Sequence, residues 1–484
     1  MNSHKIANFF KIHYQLVIIL SFFAIAYLLL GVIKHNNFLS GYDLSIIDQA
    51  IWKYSQFKNP ITTTHEFYDT PIYIDHLELI FILIAPLYWI FNSVLVLIVL
   101  QVAAVIGSGL AIFLICKKYK ISKFTSYSIT ISFLSFFGIQ FSIWSDVHSL
   151  LFALAFMSWY IYFLENKNTK LSLIFLVLAM TCKEDIALLT FAISIVYFIR
   201  QRDKVTLIFS GVSLAYLLAI FFIYFPSVVP EGYRFANSHG LLSDINPAYL
   251  LNTPDKQKSF IYSLGWFGLI PLAAPLNLLP FLGDLSHYFI IGNGVVRTEN
   301  IFLHYRSTTA LFLTIPTIMV ISKYKRLNNW KVGLYLLLCA AFFQYYLHLP
   351  LSYLTKKWLW EKNSDASNIS QMIKKLPKEA SVATQNNIAP HIAHRDQIYL
   401  LFPTLRDFKS NSPCGEPTCR WFRIGGAPSY LLIDRGNTWN ILHYLGSREE
   451  FLQGVNNLEK NGNIKLVDHN DTAYLYKIVK KISN

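Results

Sequence analysis

Two aspartates, Asp43 and Asp48, stand in the segment Gly41-Tyr-Asp-Leu-Ser-Ile-Ile-Asp-Gln-Ala-Ile-Trp52, just beyond the first long apolar run. A carboxylate at a membrane surface can act as general base on an acceptor hydroxyl. The plainer reading is a helix start, with Asp43 as N-cap and Asp48 exposed on the following turn. Their separation turns Asp48 well away from Asp43 on a helix, so the two need not share a task.

Other polar residues recur at the expected outer ends of apolar runs. Asp75-His76 and Asp146-Val-His148 each pair an oxygen ligand with an imidazole. Together they could hold a divalent metal ion beside a phosphate or diphosphate leaving group; interfacial polar residues at helix ends are the alternative. Neither spacing is that of a closed structural zinc site. Lys183-Glu184-Asp185 places three consecutive charges between two apolar halves, which is costly unless each is satisfied. Lys183 could hold a lipid phosphate while Glu184 or Asp185 orients it, or the three could form a structural ion pair. Arg297, His304 and Tyr305 add cationic and hydrogen-bonding groups suited to phosphate. All these segments are expected to converge on one outward cavity.

The elements that must carry them follow from composition. The chain has 484 residues, 54% hydrophobic and 14% charged, too apolar for a soluble protein and typical of a polytopic membrane protein. Runs able to cross a hydrocarbon core of about 30 Å recur through the first three quarters. They include Gln15 to Ile33, Ser93 to Cys116, Phe124 to Ile143, Thr206 to Phe225, Thr308 to Ser322 and Val332 to Leu349. The first follows Lys5 and Lys11 with no small-residue cleavage pattern behind it, and reads as a retained signal anchor. The net charge of +14 gathers in short connections, Lys117-Lys118-Tyr-Lys120, Lys167 with Lys170, Arg200-Gln-Arg202 and Lys323-Tyr-Lys325-Arg326. That is the positive-inside signal of cytoplasmic loops, not the continuous basic face that nucleic acid requires.

Placing those clusters inside gives about eleven crossings, with the N-terminus in the cytoplasm and the C-terminus outside. Leu77 to Phe91 then lies along the outer interface. Two short tilted helices meet at Lys183-Glu184-Asp185, and the proline-bearing segment Ile261 to Gly292 goes in and returns. Residues 1–355 form the transmembrane domain, with a first outer loop over 34–92, and residues 356–484 an extracytoplasmic α/β domain. Strands are expected at Ala380–Thr384, Gln397–Phe402, Tyr430–Ile433, Ile464–Val467 and Thr472–Val479, and helices at Ile388–His394 and Trp439–Gly446. Cys414 and Cys419 flank a Gly/Pro loop and suit a disulfide in an oxidising compartment, with metal binding as the alternative.

The order of these motifs resembles a bacterial polytopic family called domain of unknown function 2079. The resemblance is carried by Tyr42-Asp-Leu-Ser-Ile-Ile-Asp-Gln49 with Trp52, Asp75-His76 before Ala85-Pro-Leu, Asp146-Val-His148, Lys183-Glu-Asp185 and His304-Tyr305. In the C-terminal part it continues through Ser381-Val-Ala-Thr-Gln-Asn386, Pro390-His391-Ile-Ala-His394-Arg395 and Tyr399-Leu-Leu-Phe-Pro403. The family looks like a branch of the GT-C membrane glycosyltransferases, which take polyprenyl-phosphate sugars as donors and use an acid in the first outer loop. The resemblance therefore implies a GT-C-like protein of the bacterial inner membrane, with a lipid-linked sugar donor and membrane lipids as partners. By position Asp43 is the best match to the acid and Asp48 the second, while Asp146 or His148 would help bind a metal or the donor phosphate. The rival expectations are a transporter or flippase of lipid-linked intermediates, and a noncatalytic sensor or assembly protein. Transporters more often carry paired repeats, and no internal repeat is visible.

Overall fold

The structure is a computed structural model that describes residues 12–64, 70–229, 246–290, 299–361, 364–403, 422–424, 426–436 and 448–480. Its contacts divide the chain into two compact units. The first comprises residues 1–31, 73–80 and 97–356, and the second residues 32–72, 81–96 and 357–484.

Among the described residues three helices are long and apolar enough to cross a membrane: Tyr14–Asn36, Leu95–Lys118 and Lys204–Val228. A fourth candidate is the pair Lys123–Leu134 and Phe137–Trp144, bent by 42° at its break. Shorter apolar helices, Ser149–Glu165, Thr169–Met180 and Ile186–Gln201, hold much of the remaining apolar sequence. Large apolar side chains such as Phe22, Ile25, Ile208, Phe222 and Ile223 stay exposed, an arrangement suited to lipid and costly in water. Inside the first unit, two buried aromatic side chains hydrogen-bond to backbone carbonyls far away in sequence. The Trp266 indole donates to the Ser132 carbonyl at 2.8 Å, and the Tyr27 hydroxyl donates to the Leu134 carbonyl at the bend.

In the second unit the helix Tyr42–Ser55 starts from Gly41, whose extended backbone makes it the N-cap. Asp43 therefore sits in the first turn rather than capping it, where its negative charge suits the helix dipole. The C-terminal part is a six-stranded sheet of order β5-β4-β3-β6-β8-β7. Its strands are β3 (Val382–Thr384), β4 (Ile398–Pro403), β5 (Phe422–Ile424), β6 (Tyr430–Asp434), β7 (Ile464–Asn470) and β8 (Ala473–Ile478); β1 (Ile61–Thr62) and β2 (Thr70–Pro71) form a separate small pair. β3 runs parallel to β4 and β6, and the outer pairs are antiparallel.

Alternation along β6 explains why both faces are covered. Leu431 and Ile433 pack with Phe451, Val455 and Leu458 of the helix Arg448–Lys460. Leu432, between them in sequence, packs on the other side with Ile369 and Met372 of the helix Ser364–Lys375. The helix expected at Ile388–His394 is only a 3-10 turn, Ala389–His391: Pro390 removes a backbone donor and Ile392 leaves the helical region. The helix expected at Trp439–Gly446 lies outside the described residues, as do Cys414 and Cys419.

Candidate functional site

The first unit gathers residues from five stretches of chain. The connection between the helices Thr169–Met180 and Ile186–Gln201 carries Lys183, Glu184 and Asp185. Glu184 is buried; its Oε1 lies 2.7 Å from His76 Nδ1, and its Oε2 accepts the Leu77 N–H at 3.1 Å. The Ile80 N–H donates to the Thr181 carbonyl at 2.9 Å, so backbone and side chain both hold the 76–80 segment to this turn. Lys183 Nζ stands 3.7 Å from Asp185 Oδ2, which also accepts the Tyr288 hydroxyl at 3.3 Å. The Ser149 hydroxyl donates to Glu78 at 2.5 Å.

The second half of this cluster is aromatic and basic. The His148 and His304 rings stack with centroids 3.5 Å apart, and Tyr305 lies against both His304 and Tyr288. The Arg306 guanidinium is fully buried, 5.0 Å from the Tyr288 ring centre and 5.1 Å from that of Phe289. The Asp284 carboxylate faces it electrostatically and accepts hydrogen bonds from Thr308, at 2.6 Å, and from Thr309.

These environments set protonation. Burial works against a charged His76, but the Glu184 carboxylate, helped by Asp75 and opposed by Lys183, raises it to about 9. Burial raises Glu78 to about 7 against the lowering influence of His76 and the Ser149 hydrogen bond. Burial, with His148 and Lys183 nearby, holds His304 well below the usual histidine range, so its ring is neutral. The cluster thus combines charged Lys183, His76 and Arg306 with a neutral imidazole and two tyrosine hydroxyls, a set able to orient and neutralise a phosphate.

The raised values fix a pH dependence. Stability from the charged His76 is fully present below its unfolded value of 6.5 and lost as pH rises through about 9. Glu78 binds its proton more tightly folded than unfolded, so its contribution also falls with pH, between 4.5 and about 7. Thermal melting of the purified protein in detergent should therefore shift downward by several degrees between roughly pH 6 and pH 9.5. A flat or rising profile would show that the His76–Glu184 pair is not charged as described.

Asp48 lies in the second unit and is 1% exposed; its Oδ1 accepts the Tyr88 hydroxyl at 2.5 Å and stands 3.1 Å from His394 Nε2. It is not the exposed residue of the plain helix-start reading. Tyr88 and His394 screen its carboxylate, and His394 is 22% exposed and stacked near Trp52. Around this pair Gln49 donates to the Arg395 carbonyl at 3.0 Å, Lys53 to the Asp396 carbonyl at 3.0 Å and Thr63 to the Ile398 carbonyl at 2.6 Å. Asp43 lies half-buried in the same unit.

The structure therefore brings His76 together with Glu184, Lys183 with Asp185, and His148 with His304 and Tyr305. Asp75 ends the turn Ile72–Asp75, and Asp146 sits nearly buried between Trp144 and the helix Ser149–Glu165. Among the described residues no group of three His, Cys, Asp or Glu side chains is arranged to hold a metal ion. Of Asp75, His76, Asp146 and His148, His76 stands at Glu184 and His148 stacks on His304. Arg297 lies outside the described residues. Sequence reasoning missed Glu78, Asp284, Tyr288 and Arg306 here, and Tyr88 and His394 in the second unit. Asp284 could have been found as the one acid in the apolar helix Leu279–Phe289.

A family model described as predicted membrane protein, DUF2079, matches residues 34–413 of this chain. No curated protein matches it.

Proposed function

From the premise that this chain belongs to the DUF2079 family of predicted membrane proteins, we propose that it is a multi-pass glycosyltransferase of the bacterial inner membrane. It would move a sugar from a polyprenyl-phosphate carrier to an acceptor hydroxyl on the outer face, through a GT-C-like helical domain of about eleven crossings with an extracytoplasmic C-terminal domain. The observation that carries this reading is the cluster of Lys183, His76, His304, Tyr288, Tyr305 and Arg306 at the ends of apolar helices. Cations and hydroxyl donors placed there suit a lipid-borne phosphate better than a soluble substrate.

In this mechanism Asp43 takes the proton of the acceptor hydroxyl, whose oxygen attacks the anomeric carbon. The bond from that carbon to the phosphate oxygen breaks, and its electron pair leaves with the lipid phosphate. One displacement inverts the configuration. Lys183 and Arg306 offset the charge that develops on the leaving phosphate, Tyr305 donates to it, Tyr288 holds Asp185 beside Lys183, and neutral His304 can donate one hydrogen bond. Asp48 acts at one remove, by holding His394.

The test is lipid and glycan profiling of a deletion strain complemented with wild type or Asp43→Asn. Asp43→Asn is expected to lower transfer by about 100-fold or more, with the carrier-linked sugar accumulating and wild type alone restoring the modification. Full rescue by Asp43→Asn would remove this residue as the base. Unchanged glycans in the deletion strain, with lipid-carrier flipping by the purified protein in vesicles, would replace transfer by transport.

A further inference from the structure

The C-terminal sheet carries a second site that the transferase reading does not use. β3 lies between two parallel neighbours, paired through Val382↔Ile398 to β4 and through Thr384↔Leu432 to β6. From the end of β3 the chain turns to β4 on one side; from the end of β6 it goes on to the Arg448–Lys460 helix, β7 and β8 on the other. Two adjacent parallel strands whose exits diverge leave a crevice at their carboxyl ends, the usual place for a ligand in such sheets.

The residues at that crevice are polar, buried and unsatisfied. Gln385, Asn386 and Asn387 follow β3, and Asp434 ends β6; none is more than 6% exposed. Among the described residues Gln385 Nε2, Asn386 Oδ1, both side-chain polar atoms of Asn387 and Asp434 Oδ2 have no hydrogen-bond partner. The surrounding atoms are fixed. The Asp434 N–H donates to Gln385 Oε1 at 2.5 Å, which leaves the Gln385 NH2 as a donor, and the Gly436 N–H donates to Asp434 Oδ1 at 2.9 Å. A Cβ at Gly436 would lie 2.7 Å from Asp365 Oδ2 and 2.9 Å from Asp434 Oδ1, so the backbone runs close beside the two carboxylates. A buried polar atom left unpaired costs about 1–3 kcal/mol, so several together call for an occupant.

The mixture of donors and acceptors selects that occupant. A metal ion would satisfy the oxygens and leave the Gln385 and Asn387 amide hydrogens unpaired. A phosphate would meet the charge of the Asp434 and Asp365 carboxylates, and the nearby guanidinium groups are engaged except at Arg435 Nε. Arg435 pairs with Glu459 at 2.9 Å and donates to the Tyr476 hydroxyl, and Arg448 donates to the Arg435 carbonyl at 2.8 Å. A hydroxyl both donates and accepts, and neighbouring hydroxyls on one ring match planar amides beside a carboxylate. We infer that the carboxyl ends of β3 and β6 bind a neutral polyhydroxylated ligand, a saccharide, through Gln385, Asn386, Asn387 and Asp434. The inference concerns the C-terminal domain and stands whether or not the chain transfers sugar.

The test uses the full-length protein in nanodiscs on an array of neutral, sialylated and phosphorylated glycans, with Ca2+ titrated in parallel by calorimetry. At least one neutral glycan is expected to bind, and about ten-fold more weakly to Asn387→Ala and to Asp434→Asn. Asn387→Ala removes unpaired atoms, so a ligand-binding role also predicts an unchanged or raised melting temperature. No retained neutral glycan, which would leave the crevice to ordered water, overturns the inference. So does binding confined to anionic glycans or Ca2+, or neutral-glycan binding that survives both substitutions.

Discussion

Glu184→Leu is expected to prevent accumulation of folded protein. Glu184 holds His76 with one carboxylate oxygen, at 2.7 Å, and the Leu77 N–H with the other, at 3.1 Å. Leucine would leave a half-buried imidazolium and a backbone donor without their acceptor, while Lys183 keeps Asp185. Removing one partner of a buried pair costs about 3–5 kcal/mol, a large part of the margin of a typical domain. Glu184→Gln keeps the shape and one acceptor oxygen, so its loss should be intermediate. His76→Gln in the same background as Glu184→Gln should recover part of it, because neither charge is then left alone. Thermal melting and expression in the membrane fraction measure all three. Wild-type melting of Glu184→Leu would mean that the pair does not hold the 76–80 segment.

The apolar helices were legible in the sequence because burial in lipid needs only length and hydropathy, and those persist through residues such as Tyr14–Asn36 and Leu95–Lys118. The strands β3, β4, β6, β7 and β8 were legible from alternation and flanking turns. The helices Ser364–Lys375 and Arg448–Lys460 were missed although Ile369, Met372 and Ile373, and Phe451, Val455 and Leu458, recur at helical spacing. Their charged outer faces masked an apolar stripe that only the sheet makes necessary. The site was legible as residue types and not as pairs. Nothing local to Glu184 announces His76, which is 108 residues away, and nothing local to Asp48 announces His394. Asp75-His76 and Asp146-Val-His148 suggest metal ligands by residue type and by the resemblance, and nothing local to either announces that His76 stands at Glu184 and His148 stacks on His304.

The same dependence on long-range approach makes Gly138→Ala the other severe substitution, at a residue that carries no chemistry. Gly138 lies in the helix Phe137–Trp144, just past the bend, where that helix meets the turn His304–Arg306. A Cβ there would stand 2.1 Å from the Arg306 carbonyl oxygen and 2.4 Å from its carbon. These are backbone atoms, so no rotamer change relieves the clash; helix and turn must separate by about 1 Å. That movement would strain the hydrogen bond from Ser142 to the His304 carbonyl, now 2.9 Å, and displace His304 from His148 and Arg306 from Tyr288. Overpacking of this kind costs about 1–3 kcal/mol and more when backbone must yield. Gly138→Ala should therefore lower the melting temperature markedly and abolish complementation of the deletion strain. Ser142→Ala, which removes the hydrogen bond without adding volume, should cost about 1 kcal/mol and keep function. If Gly138→Ala melted and complemented like wild type, the turn carrying His304 and Arg306 would not be seated against this helix, and the phosphate-binding role given to those residues would lose its framework.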